Sequence, residues 1–500
     1  MCPGHQPQLL GPRIFRFLNE TRELTAAADW NSLSQDNLWL YNLHYFGDLT
    51  SEGFSARGTW HRELLERWTA ENPPGIGIGW QPYPLSQRIV NWIKWALAGG
   101  DLSPALVHSL AIQARYLSRR LEYHLLGNHL LSNAKALIFA GTFFSGADHW
   151  LHVGLRLLES EVREQFLGDG GHFERSPMYH SMLTEDLLDL MQLRSLYPKI
   201  LEGRNSHVLQ AIDPRPMLRW LQVMTHPDGG IAFFNDSAFG IAVPCAALFA
   251  YAQNLGLPVA ERPLSAIESL PDSGYVRLEN GSAVLIADVG EIGPDYLPGH
   301  AHAGTLSFEL SLSGKRVIVN SGVSCYGEGA ERLRQRGTAA HTTVLLDGQN
   351  SSDVWGNFRV GRRARVLNAR TWCENHTVFA EAGHYGYRQT SGRPIHWRRW
   401  RMEKQNVRIE DNVEGSGEHF VEIFFHLHPD VRPSIAGNSI VSIEDQAGRR
   451  ICFLRVTPRE TLILERSTWH PEFGRSVPSF RIALRKKQRI PAKYLFEFEH

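Results

Sequence analysis

Residues 305–320 read Thr305-Leu306-Ser307-Phe308-Glu309-Leu310-Ser311-Leu312-Ser313-Gly314-Lys315-Arg316-Val317-Ile318-Val319-Asn320. Apolar Leu306, Phe308, Leu310 and Leu312 alternate with polar neighbours. That period of two sets one face of an extended chain against a core. The Leu-Ser-Gly-Lys turn returns the chain into Arg316–Asn320, so the pair reads as an antiparallel hairpin. The same pattern recurs at Tyr275–Leu278, Ala283–Asp288, Thr342–Leu346, Arg363–Ala369, Thr377–Ala382, Ile395–Glu403, Asn406–Asn412, His419–Leu427, Arg450–Val456 and Thr461–Arg466. Turns such as Glu-Asn-Gly-Ser and Glu-Gly-Ser-Gly-Glu separate these runs. The spacing predicts a large antiparallel β-sandwich.

Before about residue 260 the period changes. Ser86–Leu97 places Ile89, Trp92 and Ile93 at helical spacing, and Leu106–Leu121, Leu130–Phe144, Trp150–Phe166, Met182–Leu196 and Pro216–Met224 repeat the behaviour. Short Gly- and Pro-marked loops join them, which suggests stacked helical hairpins. The expected fold is α+β and multidomain: an N-terminal α/α toroid or incomplete barrel over residues 1–262, then an antiparallel β-sandwich over residues 263–500. A chain of 500 residues is too long for one ordinary core, which agrees with this division.

Composition narrows the function. Lys+Arg 52 balances Asp+Glu 52, so the chain lacks the net positive charge of a bulk nucleic-acid binder. With 43% hydrophobic and 21% charged residues it is globular rather than disordered. The five cysteines, Cys2, Cys245, Cys325, Cys373 and Cys452, form no CxxC pair, which argues against a disulfide scaffold and a thiolate zinc site. No run of 18 apolar residues is present, so no membrane-spanning segment is expected. Pro and Arg interrupt the N-terminal stretch where a signal peptide needs apolar residues, so the expected location is cytoplasmic, or periplasmic or secreted if the N-terminus is processed or mis-started.

Four constellations can carry chemistry. Asn128 and His129 stand at the start of an apolar helix, where Asn128 is either an N-cap or, with His129, a donor pair for an anion. The loop Asp169–His180 is dense in titratable groups, and its Tyr179 is either a packed ring or a proton-exchanging phenol. His300 and His302 fall on one face if that segment is extended. With His341 and Asn320 they read either as a zinc set or as a polar cluster between strands. Arg332, Arg334 and Arg336, then Arg359, Arg362, Arg363 and Arg365, then Arg398, Arg399 and Arg401 concentrate basic forks in the β-half. Each is either a solvated side chain or part of a localised site for carboxylate or sulfate.

The motifs NHLLSNAKAL, FERSPMYH, GHAHAGTLSFEL, VIVNSG followed by CY, and AAHTTVLLDGQNSS, in this order and across these two kinds of domain, resemble the heparinase II/III-like polysaccharide lyases, a superfamily that includes oligoalginate lyases. The resemblance runs from about Leu38 to the end. It implies β-elimination on an anionic polysaccharide or oligosaccharide containing uronic acid. Asn128 and His129 would neutralise the sugar carboxylate, and Tyr179 and His300 would serve as base and acid. It further implies structural zinc at His302, Asn320 and His341. Arg175, His180 and Arg336 are candidate substrate contacts, as are Trp80 and Tyr83, whose rings either line sugar subsites or belong to the core. Asn320 stands where the family's metal site usually has Asp. A tyrosine base must have its phenol depressed by a nearby His or Arg, because an unperturbed phenol near 10 is a weak base at neutral pH.

Two other functions fit the same residues. A toroid glycoside hydrolase would use two carboxylates from among Asp169, Glu174, Glu185 and Asp236. A non-catalytic glycan-binding protein of exopolysaccharide assembly would need only the groove.

Overall fold

The computed structural model describes residues 2–201, 207–258 and 264–500. It divides into two compact units, Met1–Phe166 with Ser181–Leu218 and Ala242–Val259, and Leu167–His180 with Arg219–Ile241 and Ala260–His500. The boundary expected between residues 262 and 263 lies outside the described residues.

The first unit is mainly helical. Helix Pro82–Leu97 starts on a proline at its first position and buries Leu85, Ile89, Trp92 and Ile93 along one stripe. Helix Gly127–Phe143 is buried on nearly every face, which its run of Ala134, Ala136 and Ala140 permits. Helix Asp148–Gln165 packs against it through Gly154, where an added Cβ would stand 2.9 Å from Ala134 O. Helices Asn37–Tyr45, Gly58–Glu71 and Cys245–Asn254 add to those the sequence predicts. The N-terminal segment, by contrast, forms a three-stranded antiparallel sheet, Leu9–Gly11, Ile14–Phe17 and Glu20–Glu23.

The second unit is antiparallel and rich in strands. Its first part is a meander in which Ile267–Leu270, Tyr275–Asn280, Ala283–Asp288, Phe308–Leu312 and Lys315–Ile318 form a five-stranded sheet. An eight-stranded sheet and a four-stranded sheet complete it, and one continuous core draws residues from all three, including Leu285, Leu310, Trp400, Phe425 and Phe496. This is the sandwich expected from the alternation. Strand Ile395–Met402 alternates throughout and points His396, Arg398, Trp400 and Met402 inward. Inward Arg398 survives there because Asp411, its cross-strand partner, takes two of its donors at 2.7 and 2.9 Å.

Candidate active site

Three loops of the second unit meet at Asp236. Its backbone N–H donates to His300 O at 3.0 Å, and its carbonyl accepts from Ser176 Oγ at 2.6 Å. Ser176 also accepts from the N–H of Tyr179 at 3.2 Å, capping the helix Pro177–Leu196 and fixing Tyr179 in its first turn. Asn235 ties in the remaining loop, accepting from the N–H of His302 at 3.0 Å and donating to Arg175 O at 2.8 Å.

The Asp236 side chain is fully buried and surrounded by donors. Oδ2 accepts from His300 Nδ1 at 2.9 Å and from Arg332 Nη2 at 2.7 Å, while Oδ1 accepts from His302 Nε2 at 2.8 Å and from Arg332 Nη1. Burial alone would raise this carboxyl. The Arg332 charge and the bonds from both histidines and Arg332 outweigh it and hold the group well below the carboxylate range. An ionised carboxylate only accepts, so Nδ1 of His300 carries a proton, and in the neutral ring Nε2 presents its lone pair.

Tyr179 lies beside that imidazole, ring centroids 4.1 Å apart, and its hydroxyl is 3.0 Å from that of Tyr326. Phe358 meets His300 edge-on at 5.7 Å, and Arg332 stacks over Tyr326 at 4.9 Å. Burial, then Tyr326, Asp236 and Glu174, push the Tyr179 phenol well above its usual value. This reverses the expected depression: the buried setting and the neighbouring carboxylates favour the neutral phenol. The phenol that faces His300 is therefore held in its protonated form at neutral pH.

The segment holding His300 and His302 is irregular rather than extended, yet one carboxylate gathers both rings. Arg332 and Arg336 lie one helical turn apart on the short helix Ala330–Arg336 and are buried, whereas Arg334 is exposed and pairs with Glu331. Arg336 donates to Ala301 O at 3.1 and 3.2 Å and to Asn357 O at 3.0 Å, so it anchors the histidine loop. Arg175 donates to Glu291 O, and His180 stacks on Trp220 at 4.2 Å inside the core.

His302 Nδ1 and His341 Nε2 are both buried without a partner among the described residues, their rings 5.3 Å apart. Burial pushes His302 down to about 4 in spite of Asp236, so its ring is neutral. Asn320 Oδ1 already faces His341 Nδ1 at 3.2 Å and Thr342 N at 3.3 Å. Among the described residues no three His, Cys, Asp or Glu side chains are gathered to hold a metal ion. Two neutral imidazoles with an engaged, uncharged amide do not fit zinc.

The remaining sequence candidates belong to the first unit. Helix Gly127–Phe143 begins before Asn128, and its N-cap is Leu126, so Asn128 sits in the first turn and does not cap. Asn128 is buried. His129 is partly exposed, stacks on Tyr83 at 4.4 Å and is held by Glu122 at 3.0 Å. Trp80 is a core residue, packed on Trp68 and Tyr116.

Sequence reasoning gave Asp236 no role beside His300, and left Tyr326 and Arg332 without roles near the phenol. Tyr326 falls within a quoted motif, Arg332 within the basic cluster and Asp236 among the candidate carboxylates, and these are the signals that the sequence offers.

Two family models match the chain: heparinase II/III N-terminus over residues 78–246 and heparinase II/III-like, C-terminal, over residues 262–495. The chain is 26% identical over 351 residues to a heparin-sulfate lyase of Bacteroides thetaiotaomicron, covering 59% of this chain and 49% of that one. It is 28% identical over 417 residues to FtsZ-localized protein C of Caulobacter vibrioides, covering 76% and 66%. The chain thus spans about half the length of the heparin-sulfate lyases it matches. Its fold is that of heparinase III, with a TM-score of 0.75 at 19% identity over 94% of this chain and 79% of that one. Heparan sulfate lyase HepC from Pedobacter heparinus gives 0.64 at 18% identity over 96% and 80%. With its helical and its strand-rich parts each matched, the chain belongs to the heparinase II/III-like family.

Proposed function

We propose that this protein is a polysaccharide lyase that cleaves a uronate-containing anionic glycan by β-elimination. The observation that carries the reading is the His300–Asp236 pair set against the Tyr179 phenol. His300 Nε2 takes the C5 proton, and the C5–H electron pair forms the C4–C5 double bond. The C4–O bond breaks, and Tyr179 protonates the departing glycosidic oxygen. The proton taken up by His300 leaves to solvent, and a solvent proton restores the Tyr179 phenol, whose oxygen lies 3.0 Å from the Tyr326 hydroxyl. The C5 proton becomes acidic only when the adjacent carboxylate is neutralised, a task that the family resemblance gives to Asn128 with His129. Asp236 is buried among three donor side chains, and Asp169 is engaged by Ser273 N and Oγ at 2.7 and 2.9 Å. Both facts argue against a hydrolase carboxylate pair built from these two.

Mass spectrometry of a digest separates the chemistries, since elimination gives a product lighter by one water than hydrolysis does. Products of the hydrolytic mass would overturn the proposal. An Asn128→Ala enzyme that keeps full activity would remove the carboxylate assignment alone. Binding without turnover is the second reading, since FtsZ-localized protein C, a relative matched over 76% of this chain, carries a name that states no lyase activity. A glycan bound tightly and recovered intact would support it.

A further inference from the structure

The second unit carries a cleft of about 450 Å³, remote in sequence from the His300 loop, lined by five arginines, Arg362, Arg363, Arg365, Arg388 and Arg393, and by the ring of Tyr385. Three of the five are tied to the protein. Arg362 donates to Asp353 at 2.7 Å and to the carbonyls of Asn350 and Ser351 at 2.9 Å each. Arg363 and Arg365 share Asp295 at 2.8 and 3.0 Å, and Arg365 also reaches Glu291 at 3.2 Å. These contacts fix one basic wall. Arg388 and Arg393, on the turn that follows Tyr385, are exposed and have no carboxylate or carbonyl partner for their guanidinium groups among the described residues. Among those residues no carboxylate lines the cleft.

Beside a wall whose arginines are answered by Asp353, Asp295 and Glu291, Arg388 and Arg393 bring two uncompensated charges into a concavity, which focuses a positive potential and leaves two guanidinium forks unsatisfied. The ligand that answers both features carries planar or tetrahedral oxyanions at intervals along a chain. Tyr385, 38% exposed, offers a flat ring against which a sugar face can pack. We propose that this cleft is an exosite that grips the carboxylate or sulfate groups of an acidic polysaccharide. The proposal rests on the lyase reading for its choice of polymer, and its test does not depend on turnover.

The test measures binding of the intact protein to fluorescein-labelled heparin across a salt series. The comparison is between the parent, Arg388→Ala/Arg393→Ala, and Arg13→Ala/Arg16→Ala, which removes the same charge from exposed arginines elsewhere. Loss of two charge-assisted contacts should weaken binding roughly tenfold or more and flatten the salt dependence, with little change in the control. Circular dichroism confirms that each variant folds. Equal weakening in the control, or none in the Arg388/Arg393 variant, would overturn the exosite. So would an equal loss of affinity for duplex DNA, which would mark the cleft as a nucleic-acid surface. A protein that shows the expected loss on heparin, yet yields no unsaturated product, keeps the exosite and loses the catalytic reading.

Discussion

Nδ1 of His300 stands 2.9 Å from Oδ2 of Asp236, and the same carboxylate holds His302 and Arg332. The pairing fixes which imidazole nitrogen is free. Replacing Asp236 with Asn lets the ring turn or adopt the other tautomer, and leaves buried Arg332 without its counter-charge. The expected outcome is a fall in elimination rate of about 10²–10⁴-fold. Loss of the ion pair should also lower stability by about 3–5 kcal/mol, read from thermal unfolding. A folded Asp236→Asn variant with an undiminished rate would show that Asp236 does not orient the base.

Tyr179→Phe tests the proton donor. With a glycosidic leaving group the rate should fall about 10²–10⁴-fold. With an activated aryl leaving group, which departs without protonation, most of that loss should disappear. An equal loss on both substrates would make Tyr179 a packing residue.

The pH dependence has a definite sign. In the proposed elimination Tyr179 acts in its protonated form, and burial with Tyr326 raises its phenol well above the usual value. Its contribution is thus complete at neutral pH and is lost only as pH climbs past the raised value. Measured kcat in the parent should show no alkaline decline attributable to Tyr179 below about pH 10. A decline near neutrality that vanishes in Tyr179→Phe would contradict this.

With uncharged Asn320 beside them, His302 and His341 should have little affinity for zinc. The purified protein should carry little zinc, and a chelator should leave its Tm unchanged. Asn320→Asp supplies the missing anion and should raise zinc content toward one per chain. Stoichiometric zinc in the parent would overturn the fit argument.

Acid should unfold the first unit partly through Asp48. Burial would raise this carboxyl, but bonds from His61, the N–H groups of Leu9 and Gln8, and Arg57 hold it at about 2. A depressed carboxyl stabilises the fold above its unfolded value near 4, and that contribution fades as pH falls from about 4 to about 2. Asp48→Asn should cost about 2 kcal/mol at neutral pH and flatten the acid limb of a stability curve. An unchanged acid limb would refute the assignment.

The helices and most strands were legible because their apolar periods are unbroken, as in Pro82–Leu97 and Ile395–Met402. Arg475–Arg489 escaped notice because Lys486, Lys487 and four arginines dilute its alternation. The strands at Leu9–Glu23 are three or four residues long, too short for a period to register. At the site, His300 and Tyr179 were legible as motif residues. Their fixing was not, because Asp236 lies 64 positions from His300 and 96 from Arg332, and only the fold brings them together. The arginines at 332, 334 and 336 alternate in the sequence but lie on a helix, where residues four apart share the buried face.

Elimination driven by His300 and Tyr179 is the chemistry proposed for this protein. Its most direct test is the far-ultraviolet absorbance of a 4,5-unsaturated uronate during incubation with heparan sulfate, hyaluronan and alginate. Absorbance should rise with at least one polymer, and His300→Ala should reduce the rate to about 1% or less. Cleavage with no new absorbance, or an undiminished rate in His300→Ala, would contradict it.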